Sequence, residues 1–213
     1  MKTIHFYLDF ISPYAWLAFD ALPQALEGIS HRVVFKPVVF GAMLKHHGQL
    51  GPAEIPAKRD WTYRQVQWQA RAQGTPLQLP ASHPFNSLAL LRLATACDAD
   101  GTPNRFVCDK IFRHVWCTGQ DAADAERLAA LNADLKPAGD VASDAVKQQL
   151  KAHTDEAIAL NLFGVPSLVV DGQVFWGNDA LPMLRAYLQG DPWFQSSEWT
   201  GVAQLPVGVQ RKA

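Results

Sequence analysis

The stretch Asp9 to Trp16, DFISPYAW, is where the chain changes its hydrophobic period. Before it, Ile4, Phe6, Leu8 and Phe10 alternate with Thr3, His5, Tyr7 and Asp9, the pattern of a strand with two unlike faces. After it, Tyr14, Leu17, Ala18, Ala21, Leu22 and Ala25 recur at the spacing of one helical stripe. The change of period assigns Ser12 to the N-cap and Pro13 to the first helical position, where a missing N–H costs nothing. The serine hydroxyl and the unpaired N–H groups of the first turn then face the same small volume. Ser-Pro alone marks an ordinary cap, so the weight of this serine depends on what the rest of the chain brings to it.

Working outward, residues 32–40 (RVVFKPVVF) read as a second strand, with Pro37 marking a sheet edge or a bulge. Residues 41–47 read as a loop. From residue 58 to about 134 no good strand occurs, and helical patterns cover 59–73, 86–97, 103–116 and 122–133, punctuated by stretches such as GTPLQLPASHP. A further helix over 143–162 leads through Gly164-Val165-Pro166 into two short strands, Ser167–Val170 and Gln173–Trp176, joined at Asp171-Gly172 by a hairpin turn. Asn178 or Asp179 is expected to cap a last helix running to Leu188. This order predicts an α/β fold: a thioredoxin-like mixed sheet interrupted after its second strand by an all-helical insertion. The expected division is residues 1–50 with 141–190 for the sheet, 51–140 for the insertion and 191–213 for a C-terminal arm.

The 213 residues suffice for one domain with a large insertion or for two small domains sharing an interface. A net charge of -1 with intermixed signs offers no basic stripe to nucleic acid and no polybasic patch to a membrane, so small molecules are the expected partners. Met1-Lys2 runs directly into a strand without an apolar leader, and no apolar run has the length of a membrane span, which reads as cytoplasmic. Cys97, Cys108 and Cys117 match no paired redox or zinc spacing and read as structural thiols. No metal site is expected, because His46, His47 and His83 have no Cys or carboxylate at ligand spacing.

Five motifs in order carry a resemblance: DFISPYAW, LGPAEIPAKRDW (50–61), HPFNSLALLRL (83–93), FGVPSLVVDG (163–172) and FWGNDAL (175–181). Together they resemble the 2-hydroxychromene-2-carboxylate isomerase family, which is similar to kappa-class glutathione transferases and, more distantly, to DsbA-like oxidoreductases. The resemblance implies a homodimer that uses glutathione as cofactor and interconverts 2-hydroxychromene-2-carboxylate and trans-o-hydroxybenzylidenepyruvate. Where DsbA-like proteins carry the first cysteine of C-x-x-C this chain has Ser12, and three residues on it has Ala15, so no disulfide can cycle here. Sulfur must arrive with the ligand, and Ser12 becomes a donor to its thiolate. Lowering a thiol pKa by about two from roughly 8.5 requires about 2.7 kcal/mol of preference for the anion. A hydroxyl at a helix N-cap together with helix N–H groups can supply that magnitude.

The resemblance further implies glutathione contacts at Val165 and Pro166, across a cis peptide bond, and at Trp176, Gly177, Asn178 and Asp179, with the last pair receiving the γ-glutamyl end. It also implies a substrate contact at Asn86. For the substrate carboxylate the candidate cations are Lys45 and Lys58, with Arg59 and Arg64 nearby, and Lys58 is preferred because it opens a helix beside the expected cleft. Trp61, Trp68 and Phe85 are candidates for an aromatic floor, though residues at helical spacing are more often core. Relatives often carry an Asn where this chain reads Gly51-Pro52-Ala53-Glu54. Two other functions use the same residues: a glutathione transferase or peroxidase acting on electrophiles, and a non-catalytic module that binds extended peptides at Val165-Pro166.

Overall fold

The computed structural model describes residues 1–209; the end of the expected arm, 210–213, lies outside the described residues. Four strands, β1 (Lys2–Leu8), β2 (His31–Pro37), β3 (Ser167–Val170) and β4 (Gln173–Trp176), form one sheet in the order β2-β1-β3-β4. β1 and β2 are parallel, whereas β1–β3 and β3–β4 are antiparallel. Phe6 stands opposite Phe35 on one side and Leu168 on the other. Pro37 ends an edge strand, where its missing N–H breaks no ladder. The Asp171-Gly172 turn has both residues at positive φ, 49° and 78°, as a two-residue hairpin requires.

The alternation in β1 sorts its side chains onto two covered faces. Ile4, Phe6 and Leu8 enter the main core with α1 (Pro13–Ala25), while Tyr7 joins Val165, Val169, Ala157 and Leu162 under α7 (Asp144–Ala159). Between β2 and α7 the chain forms α2 (Phe40–His46), α3 (Pro56–Gln73), α4 (Leu88–Ala96), α5 (Arg105–Trp116) and α6 (Ala125–Leu135). α1 is the shared wall: Leu17 packs on Val66 and Ala70 of α3, and Phe19 packs 5.1 Å from Phe112 of α5. α8 (Leu181–Leu188) and the short α9 (Ser197–Gly201) complete the chain. No helix among the described residues is long and apolar enough to cross a membrane.

Three expectations are corrected. The second strand stops at Pro37, and Phe40 opens α2 where a loop was expected. The helix is started from a distance: Thr154 Oγ1 accepts the Val39 N–H at 3.0 Å and Asp9 Oδ2 accepts the Phe40 N–H at 3.0 Å, so no local cap marks it. α7 ends at Ala159, because Asn161 turns left-handed at φ 56° and Leu162 N–H folds back onto the Ala157 carbonyl. Finally, neither Asn178 nor Asp179 caps the last helix. Gly177, at φ 97° and ψ 164°, starts a 3-10 turn over Asn178–Ala180 instead, and α8 follows from Leu181.

Candidate active site

Ser12 sits at the end of the turn that leaves β1. Its φ of -87° and ψ of 117° are those of an N-cap, and its Oγ accepts the Ala15 N–H at 3.2 Å. The same hydroxyl donates to the Val165 carbonyl at 3.1 Å. Only 6 % of Ser12 is exposed. Asp9 builds the turn from beneath: its Oδ1 accepts the Ile11 N–H at 3.1 Å, and its main-chain carbonyl accepts the Ser12 N–H at 3.0 Å. Burial pushes the Asp9 carboxyl up to about 6, against the pull of its hydrogen bonds from the Ile11 and Phe40 N–H groups.

The second wall is the loop before β3. The Val165–Pro166 bond is cis, as expected, and so is His83–Pro84. The Val165 carbonyl, expected to face a ligand, is the acceptor of the Ser12 hydroxyl; the Val165 N–H has no partner among the described residues. Phe163 and Trp176 pack with ring centroids 4.8 Å apart beside it, and the Trp176 indole is 52 % exposed. This pairing needs Gly164, because a Cβ there would lie 2.5 Å from Trp176 Nε1. Gly177 N–H, in turn, donates to the Pro166 carbonyl at 3.0 Å and ties the end of β4 to the loop.

Past Gly177 the chain meets the insertion. Asn178 is buried, its Nδ2 reaches Gln69 Oε1 of α3 at 3.5 Å, and its Oδ1 has no partner. The N–H groups of Asn178 and Asp179 are likewise unpaired among the described residues. These groups border a cleft of about 590 Å³ whose walls include Ala21, Gln24, Trp68, Gln69 and Asp179. Burial raises the Tyr14 phenol pKa, and the negative charge of Asp179 adds to the rise, which locates Asp179 beside the start of α1. Around Asn178 the cleft therefore offers acceptors and free N–H groups. The cation on its wall, Arg185, donates to the Ala25 and Glu27 carbonyls at 2.8 and 3.0 Å and closes the end of α1.

The structure thus brings Ser12, Val165 and Pro166 together, and it links Trp176 and Gly177 to them. Asn178 and Asp179 follow Gly177 in the chain and line the neighbouring cleft, whose walls do not include Ser12, Val165 or Pro166. The three substrate candidates make no hydrogen bond to Ser12 or Val165 among the described residues. Lys58 is exposed in the first turn of α3, and Lys45 is exposed in the last turn of α2. Asn86 is exposed and accepts the Leu88 N–H at 3.0 Å through Oδ1. Trp61 and Trp68 are largely exposed, and Phe85 packs against His83. Three contributors were not singled out from the chain, Asp9, Gln69 and Phe163, and His83 was weighed only as a metal ligand. Each has at least one partner distant in sequence, and only the motif membership of Asp9, Phe163 and His83 hinted at them.

A four-stranded mixed sheet in this order, with an N-capping serine beside a cis-proline loop and an alanine three residues on, defines a thioredoxin-fold protein that has lost the redox pair. A family model described as a DsbA-like thioredoxin domain matches residues 3–189, and the chain belongs to that family. It is similar to a 2-hydroxychromene-2-carboxylate isomerase of Sphingobium xenophagum, 29% identical over 196 residues that span 88% of this chain and 98% of that protein. A glutathione S-transferase kappa 1 of Rattus norvegicus is 23% identical over 211 residues, 90% of this chain and 92% of its own. Among solved structures, a 2-hydroxychromene-2-carboxylate isomerase superposes with a TM-score of 0.75 at 23% identity, covering 92% of this chain and 98% of that one. That likeness confirms the fold.

Proposed function

We propose that the protein is a glutathione-dependent isomerase that interconverts 2-hydroxychromene-2-carboxylate and trans-o-hydroxybenzylidenepyruvate, or a closely related aromatic acid. The observation that carries the reading is the buried Ser12 hydroxyl, held between the Ala15 N–H and the Val165 carbonyl with no thiol of its own at the site. The rim fits glutathione. Val165 N–H is free for the cysteinyl unit, the Asn178 and Asp179 N–H groups are free for the γ-glutamyl carboxylate, and Asp179 with the orphaned Asn178 Oδ1 suits its ammonium. When bound, glutathione supplies a thiolate that adds reversibly to a conjugated double bond and so permits rotation about it.

The chain's own part is to hold that anion and to orient the acid beside it. Ser12 keeps the Ala15 N–H and swings its O–H from the Val165 carbonyl to sulfur, exchanging a neutral hydrogen bond for a charge-assisted one about twice as strong. No base is needed for a residue that only donates, which accords with the lack of a Ser-His-Asp arrangement around it. Lys58 in the first turn of α3, or Lys45 in the last turn of α2, receives the substrate carboxylate, and the Asn86 amide contacts the substrate.

The test is titration with reduced glutathione, followed by heat and by thiolate ultraviolet absorbance, in the wild type and in Ser12→Ala. Saturable binding is expected, with a thiolate signal that Ser12→Ala loses and turnover slowed by roughly ten- to a thousandfold. Unchanged turnover in Ser12→Ala would remove Ser12 from the mechanism. Absence of binding at millimolar glutathione would remove the cofactor, and a product that retains sulfur would make the protein a transferase.

A further inference from the structure

The turn that presents Ser12 is gripped from outside by two rings of the helical insertion. Trp116 Nε1–H of α5 donates to the Phe10 carbonyl at 2.9 Å, and His83 Nε2 lies 2.8 Å from the Ile11 carbonyl, the atom directly before Ser12. A carbonyl can only accept, so Nε2 carries the imidazole proton. His83 Nδ1 is then an acceptor, and the Tyr63 phenol of α3 lies 2.7 Å from it and 3.2 Å from the His83 main-chain carbonyl, the shorter contact taking its proton. Arg59, one helical turn earlier, donates to the His83 main-chain carbonyl at 3.1 Å and lies 5.6 Å from the Tyr63 ring. The two gripping rings also pack on each other, with centroids 5.5 Å apart.

Every carbonyl of the turn is thereby occupied: Asp9 by the Ser12 N–H, Phe10 by Trp116, Ile11 by His83 and Ser12 by the Trp16 N–H. Two of these four bonds come from the insertion. Neither is required to form α1, whose N-terminus is already served by Ser12 Oγ and Pro13. What they do determine is the tilt of the Ile11–Ser12 peptide, and through it the direction of the Ser12 side chain and of the N–H groups around it.

We propose that His83 is the positioning residue that aims Ser12, holding the Ile11 carbonyl as a neutral imidazole whose other nitrogen is engaged by Tyr63. The inference rests on the reading of Ser12 as a thiolate donor for its catalytic meaning. The geometry itself can be tested without glutathione.

Ser12→Cys places a thiol at the aimed position, where its pKa reports the surrounding donors. Burial raises the pKa of Cys97, Cys108 and Cys117, so the new thiolate titrates below them in ultraviolet absorbance. At the N-cap its pKa is expected below 8.5. Adding His83→Phe keeps the ring packing but removes both hydrogen bonds, and it is expected to raise that pKa by about one. Gly172→Ala, strained at a remote positive φ, serves as a comparably destabilised control that leaves the pKa alone. An unchanged pKa in folded His83→Phe would overturn the proposal. Should His83→Phe fail to fold, Tyr63→Phe removes the partner of Nδ1 and loosens the hold on the ring, and a smaller rise is expected; no rise overturns the proposal equally. In the enzyme with Ser12 intact, His83→Phe is expected to lower kcat about tenfold while the KM for glutathione holds within about twofold. A loss expressed only as a rise in KM, with kcat unchanged, would overturn it. A pKa rise in a protein that never binds glutathione would uphold the positioning role and refute the function assigned to the site.

Discussion

Asp9 shows how much one buried carboxylate can organise. Its two oxygens take N–H groups from Ile11 and from Phe40, so one side chain shapes the Ser12 turn and starts α2. Asn in its place offers one acceptor and turns an N–H₂ toward the other N–H, a loss of about 1–3 kcal/mol when buried. The loss is expected to depend on pH. With the folded carboxyl near 6 and the unfolded one near 3.8, the wild type is stabilised by this group at low pH and loses that advantage as pH rises through 6. Asn does not titrate, so the destabilisation by Asp9→Asn should shrink by about 1 kcal/mol between pH 5 and pH 8. Urea denaturation of both proteins at the two pH values measures it, and a penalty that grows with pH would contradict the shifted carboxyl. In the chain Asp9 is only the polar member of an alternating pair; its meaning comes from Phe40, thirty-one residues on. Ser12 was legible because its cap bond is local, three residues away at Ala15.

Among the elements, those with internal signals were readable and those started by a distant partner were not. β3 and β4 carry a strand pattern around an Asp-Gly turn and occur as expected, whereas α2 depends on Asp9 and Thr154. α1 even tolerates Pro23 inside it. The missing N–H leaves the Phe19 carbonyl free, and Arg105 of α5 donates to it at 3.1 Å with its guanidinium 4.1 Å from the Phe19 ring. The loop before β3 has the opposite economy, with space rationed by one glycine. Gly164→Ala would press a methyl into the Trp176 indole, which is half exposed and free to swing outward. Little stability should be lost, under about 1 kcal/mol, because no buried contact is opened. The Phe163–Trp176 wall beside the Val165 N–H should open, however, and glutathione affinity should fall about tenfold. Calorimetric titration alongside thermal melting separates the two effects; equal affinity would show that the indole does not line the ligand.

Across the whole molecule the insertion and the sheet share one core. Phe112 of α5 packs 4.8 Å from Phe10, 5.8 Å from Trp16 and 5.1 Å from Phe19, so the ring cluster that seats the insertion also backs the Ser12 turn. The helical block was visible in the chain as a long interval without strands, but its grip on the turn was not, because His83 and Trp116 follow no local pattern that names their acceptors. A shared core predicts one cooperative unfolding transition, with tryptophan fluorescence and far-ultraviolet circular dichroism coinciding. Its midpoint should fall as pH drops from 7.5 to 5.5. Burial lowers the pKa of His5, His83, His114 and His153, so the unfolded chain takes up protons near 6.5 that the folded one refuses, and this stability is present above 6.5 and lost as pH falls. Asp9 works against the trend, because the folded state gains a proton there first. Asp9→Asn, which deletes the opposing group, should therefore show a steeper fall than the wild type. A midpoint of Asp9→Asn that is flat or rises toward pH 5.5 would mean that the four imidazoles are not held neutral by burial, and with them the neutral His83 that faces Ile11.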